Sequence, residues 1–107
     1  MEAEQVARND AIYRAANERI EAAAEEYAVA GPIPFICECA DATCTNIVLL
    51  TLAQYERIRA HPTHFLNLPG HELPAKEHVD VVHREPGFVV VEKQGRAAEI
   101  VRELDAR

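Results

Sequence analysis

Phe35-Ile36-Cys37-Glu38-Cys39-Ala40-Asp41-Ala42-Thr43-Cys44 runs directly into Thr45-Asn46-Ile47-Val48-Leu49-Leu50. Apolar residues at both ends enclose a polar middle that carries cysteines. The segment reads as two short strands, Phe35 to Glu38 and Asn46 to Leu50, with the cysteine loop as the turn of a hairpin. All three cysteines of the 107-residue chain lie in this loop, so they are expected to share one task. In an extended strand Cys37 and Cys39 point to the same face, and Cys44 returns to them after a turn of small and polar residues.

Working outward from the hairpin, Gly31-Pro32-Ile33-Pro34 ends whatever precedes it. Upstream, Ala3 to Ala28 is predicted to be one long helix. Ile12, Ala16, Ile20, Ala23 and Tyr27 recur at helical spacing and define its apolar stripe, while the Glu- and Arg-rich opposite face is expected to stay wet. That stripe packs either on the chain's own sheet or on a partner, a protein or a second copy. Downstream, Thr51-Leu52-Ala53-Gln54 has the form of a capping box and predicts a short helix to about Ala60, stopped by Pro62. His64 to Leu68 reads as a strand, Pro69-Gly70 as a turn, and Leu73-Pro74 as part of an irregular connection. Val79 to His83 and Phe88 to Glu92 form a second hairpin through Arg84-Glu85-Pro86-Gly87. Arg96 to Asp105 closes the series as a helix whose apolar face is Ala97, Ile100, Val101 and Leu104. Strands come in groups, so the fold class is α+β: a long N-terminal helix, a small mainly antiparallel sheet, a short middle helix and a C-terminal helix. One domain, 1–107, is expected, with the N-terminal helix over 1–30 and the cysteine-cluster body over 31–107.

Three thiolates need a fourth ligand to close a tetrahedral zinc site. His71, lifted from the chain by the preceding Pro69-Gly70 turn, is the favoured candidate. His61, His64, His78 and His83 are weaker ones, and Glu38 or Asp41 is a further alternative. The expected metal set is therefore Cys37, Cys39, Cys44 and His71, with zinc as the cofactor. The spacing C-x-C-x4-C is a less common zinc signature than a pair of C-x2-C knuckles. Two other readings compete: inert cysteines in a small core, and a thiol-based redox sensor or oxidoreductase. An iron–sulfur cluster calls for four thiolates.

No serine elbow, phosphate loop, dinucleotide fingerprint or HExxH element is present, and no catalytic residue is assigned. Three thiolates leave zinc electron-rich and a poor activator of water, so Glu38, Asp41 and Glu72 are read as a solvated rim. Eleven basic residues against 18 acidic ones give a net charge of -7, which opposes attraction to nucleic-acid backbones and anionic membranes. No signal peptide is expected, and an odd cysteine count suits a reducing compartment, so the expected location is the cytoplasm.

Phe35-Ile36-Cys37-Glu38-Cys39-Ala40-Asp41, Cys44, Leu50-Thr51, Tyr55-Glu56, Pro69-Gly70-His71-Glu72 and Val89-Val90-Val91-Glu92-Lys93, together with Arg8-Asn9 and Asn17-Glu18-Arg19-Ile20, resemble a group of short uncharacterised bacterial proteins. These share an F-x-C-E-C-A-D-x-x-C cluster and a Pro-Gly-His element. The resemblance spans most of the chain. It implies a stand-alone bacterial protein, supports His71 as the fourth ligand, and transfers no activity. The function expected is a small zinc-binding regulatory or protein-interaction module.

Overall fold

A computed structural model describes residues 1–107. The order is α1 (Ala3–Glu26), β1 (Ile33–Ile36), β2 (Ile47–Leu50), α2 (Leu52–Arg59), β3 (His64–Asn67), a 3-10 helix (Leu73–His78), β4 (Val79–Arg84), β5 (Val89–Lys93) and α3 (Gly95–Glu103). The fold is α+β. Every strand pairing is antiparallel, but the five strands divide into two sheets, β1-β2 and β3-β5-β4. The division falls where β1 ends and the cysteine loop begins. There the backbone N–H of Glu38 donates to the Leu66 carbonyl (2.7 Å), while the Leu66 N–H donates to the Glu38 carboxylate (2.9 Å). One side chain thus replaces a rung of the ladder that would have joined the sheets.

The capping box of α2 is complete. Gln54 N–H donates to Thr51 Oγ1 (3.1 Å) and Thr51 N–H donates to Gln54 Oε1 (2.8 Å). The three-stranded sheet is covered on both faces. Leu66 and Val90 join Phe35, Val48, Leu50, Tyr55 and Ile58 in a core that also takes in all three cysteines. Phe35 and Tyr55 stack there at 4.3 Å between ring centres. Phe65, Val89 and Val91 face the other way, with Ala7 of α1 and Ala97, Ile100 and Val101 of α3. The segment expected to be irregular after His71 forms 3-10 turns over Leu73–His78, with Pro74 in the first turn and a kink at Ala75 (φ -112°, ψ 18°).

The N-terminal helix is turned differently from the expectation. Ile12 is 66% and Tyr27 75% exposed, Ala23 is exposed, and Ala16 and Ile20 are half-buried. Its buried residues are Val6, Ala7, Asp10, Arg14, Asn17, Glu21 and Ala24. Part of the face expected to stay wet is thus the face that packs. Each polar group on it meets a partner that lies far away in sequence. Asp10 pairs with Lys93, and Arg14 donates to the carbonyls of Pro62 (2.6 Å) and Val101 (2.9 Å) while lying over the Phe65 ring. Arg107 reaches Glu21 at 2.8 Å. Buried polar groups are tolerated when paired in this way. No helix is long and apolar enough to cross a membrane.

Candidate metal centre

Cys37 is the first residue beyond β1, and its N–H donates to the Asn46 carbonyl (2.9 Å), closing the hairpin around the loop. Within the loop the Asp41 carboxylate accepts from the Thr43 backbone N–H (2.8 Å) and hydroxyl (2.7 Å). The Cys44 N–H donates to the Asp41 carbonyl (3.1 Å). This side-chain-supported turn returns the chain sharply enough to face Cys44 toward the other two cysteines. The fourth side chain arrives from the end of β3. Gly70 has φ +91°, a left-handed conformation that suits glycine, and the His71 N–H donates to the Leu68 carbonyl (3.0 Å). Glu72 accepts from the Gly70 N–H (2.8 Å) and holds the same turn.

The result is a single cluster. The Sγ atoms of Cys37, Cys39 and Cys44 and a ring nitrogen of His71 all lie within 4.8 Å of one another. His71 Nδ1 is 3.6 Å from Cys37 Sγ and 3.7 Å from Cys44 Sγ. A tetrahedral ion with metal–sulfur bonds near 2.3 Å and metal–nitrogen bonds of 2.0–2.1 Å sets ligand-to-ligand edges of about 3.5–3.8 Å. The observed edges to His71 match that requirement, so the four residues can hold a metal ion. The cysteines are buried and free of disulfides, and His71 is half-buried.

Two donors trim the negative charge of the sulfurs: the Leu68 N–H to Cys37 Sγ (3.3 Å) and the Asn46 amide to Cys44 Sγ (3.6 Å). No lysine or arginine hydrogen-bonds to a sulfur of the cluster. Contact between Cys37 and Cys39 lowers the Cys39 thiol to about 5, and that contact together with burial pushes Cys37 up. The lowering of Cys39 favours its thiolate, the form that ligates.

The remaining candidates are occupied elsewhere. His61 stacks on His64 at 4.3 Å between ring centres, and His64 Nε2 meets Glu92 at 3.0 Å. His78 contacts the Met1 carbonyl (2.6 Å) and His83 contacts Glu85 (2.6 Å). Asp41 is exposed and spends its carboxylate on Thr43. The acidic rim expected around the site is not what forms. Glu38 is fully buried and Glu72 is 8% exposed. Glu38 points away from the sulfurs, to Leu66 and to the Asn17 amide (2.9 Å). Burial lifts its carboxyl to about 7 in spite of those donors.

A ladder on α1, unread in the sequence, anchors the loop. The Asn9 amide donates to the Ala40 carbonyl (2.8 Å), and the Tyr13 hydroxyl donates to the Asp41 carbonyl (2.8 Å). Asn17 both donates to the Ile36 carbonyl and accepts from the Ile36 N–H, each at 2.8 Å. Asn9, Tyr13 and Asn17 are spaced by four, which places them in one row along a helix. That polar spacing was available in the sequence but was overshadowed by the apolar stripe. Among known proteins, no family model, no curated protein and no solved structure matches this chain.

Proposed function

We propose that Cys37, Cys39, Cys44 and His71 hold a structural zinc ion, and that the folded chain acts as a non-catalytic module binding another protein in a regulatory role in the bacterial cytoplasm. The observation that carries the metal reading is the mutual approach of the four ligand atoms to within 4.8 Å. Zinc fits the donor set best: thiolate-rich with one imidazole, buried, and closed at four ligands. Bound there, the ion would crosslink the loop after β1 to the turn after β3 and neutralise thiolate charge. The chain's own residues orient the ligands. Leu68 and Asn46 fix two sulfurs, and the Pro69-Gly70 turn fixes the imidazole.

The partner reading is supported by the exposed part of the α1 stripe, Ile12, Ala23 and Tyr27, which offers a protein or a second copy an apolar row. A net charge of -7 suits a basic or apolar partner and not nucleic acid. The deciding experiment is elemental analysis of purified protein combined with thiol alkylation. One zinc per chain with all three thiols protected is the expected result. Metal-free protein with one rapidly alkylated thiol would replace this reading with the second one, a thiol-based redox sensor or oxidoreductase. That alternative draws on the lowered Cys39 thiol.

A further inference from the structure

Away from the cysteines, between the end of α2 and the β4-β5 hairpin, lies a cavity of about 340 Å³. It falls within the lower part of the range of small-molecule sites, about 300–1,000 Å³. Its floor is Ile58, Phe88 and Val90, all buried and all part of the core that the cysteines share. Its rim carries Arg57, His61 and His64. An apolar floor under a rim of hydrogen-bond donors suits a ligand with one apolar end and one polar end.

The charges on the rim say which polar end. His83 and Glu85 also border the cavity, but they contact one another at 2.6 Å. Glu92 is engaged by His64 at 3.0 Å. Of these two carboxylates only Glu85 lines the cavity, and each already has a histidine partner. Arg57 is exposed, enters no ion pair, and lies in the last turn of α2, four residues before His61, which follows the helix. Its guanidinium is a free bidentate donor at the mouth of an apolar cleft, a geometry that matches a carboxylate. Gln54, one turn earlier on the helix, adds an uncharged amide to the same rim. We infer that this cleft is a binding site for a small organic carboxylate with an aromatic or aliphatic body, the body over Phe88 and Val90 and the carboxylate on Arg57. This site is separate from the candidate metal centre and does not depend on the proposed metal.

The test is titration of the full chain with benzoate, and in parallel with benzyl alcohol, followed by amide chemical shifts. Saturable benzoate-induced shifts are expected at the end of α2, at His64 and around Phe88 to Val90, with markedly weaker binding of benzyl alcohol. Arg57→Gln should weaken benzoate binding about tenfold, as loss of one charge-assisted hydrogen bond implies, and leave the benzyl alcohol titration unchanged. Arg57 is exposed, so this variant should keep the wild-type melting curve. Equal response to the two probes, shifts scattered over the surface, or benzoate affinity unaltered in Arg57→Gln would each overturn the assignment.

Discussion

Two buried polar regions of the molecule are built on opposite plans. The first brings both signs of charge from the chain itself. Lys93 and Asp10 are paired with their side chains 1% and 0% exposed, and the Arg59 side chain, 1% exposed, meets Glu18 at 3.1 Å and Asp105 at 2.8 Å. Arg107 extends this group to Glu18, Glu21 and Glu56. The second region gathers three sulfurs and an imidazole with no cationic side chain among them. A buried charge must be neutralised, paired or ligated. The first region pairs its charges within the chain, although burial still raises the carboxyls of Asp10 to about 6 and of Glu21 to about 8. The second takes a proton or a metal ion from solution, so its contribution to stability depends on what the solution supplies.

The sharpest way to break this contrast is to strip the proposed metal. Loss of a structural zinc withdraws folding free energy outright. Since about 1 kcal/mol moves the melting temperature of a domain near this size by roughly 4 °C or more, chelation is expected to lower it by well over ~10 °C. Cys39→Ser should match the chelated protein and respond no further to chelator. An unchanged melting curve after verified metal removal would place both regions on the same self-sufficient plan.

The next effect belongs to the first region. Lys93→Met strands the Asp10 carboxylate in the core, and breaking a buried pair this way costs about 3–5 kcal/mol. Adding Asp10→Leu should restore most of that, because an apolar pair of similar volume needs no counter-charge. Urea denaturation of the two single variants and the double variant measures the coupling. Simple additivity of the single losses would show that the pair is not a unit.

A pH-dependent effect follows in size. Burial raises the Asp10 carboxyl from its ordinary 3.8 to about 6, in spite of Lys93 beside it. Between those values the native chain holds a proton that the unfolded chain has released, so stability falls as pH rises through that window and levels off above it. A shift of this size corresponds to about 3 kcal/mol at most. Asp10→Asn should remove the slope. The comparison is the difference between wild type and variant across pH, since acid release of a metal affects both alike. A difference that stays constant from pH 4 to 6.5 would contradict the raised value.

The smallest expected effect joins the two regions. Asn17→Ala removes both hydrogen bonds to Ile36 and the one to Glu38, at a cost of about 1–3 kcal/mol. Hydrogen exchange should quicken in α1 and in the loop from 36 to 41, and not in β4. Exchange raised evenly over the whole chain would mean that α1 and the loop do not open as a local unit.

What could be read in the sequence was local. The α2 capping box, the second hairpin and the cysteine cluster each depend on residues a few positions apart and form where the pattern places them. The first hairpin also forms, with its leading strand two residues earlier, at Ile33–Ile36 instead of Phe35 to Glu38. His71 is distant from the cysteines, but Pro69-Gly70 marked the turn that carries it. The orientation of α1 was hidden for the opposite reason. A search for apolar periodicity favours Ile12 and Tyr27, whereas Asp10, Arg14 and Asn17 become good buried residues only once Lys93, Pro62 and Ile36 arrive beside them. Glu38 was misread as rim because it sits between two cysteines. Strand alternation, which put Cys37 and Cys39 on one face, also put Glu38 on the other. The 3-10 helix over Leu73–His78 has no long-range pattern that could reveal it.

The ladder of Asn9, Tyr13 and Asn17 has a consequence for how such a chain tolerates change. All of its contacts to Ile36, Ala40 and Asp41 are made to main-chain atoms. Through these contacts the helix gauges the length of the loop, and only at Glu38, which the Asn17 amide also reaches at 2.9 Å, does it read a side chain. A substitution at Ile36 leaves every rung in place, whereas the carboxylate of Asp41 is also needed for the Thr43 turn and the tight packing of Ala40, 3% exposed, limits its replacement. Inserting or deleting one residue between Ile36 and Asp41 shifts two rungs against the third. At these anchor points the loop is rigid in its count, while Cys37, Glu38 and Cys39 between them are fixed by what their side chains hold.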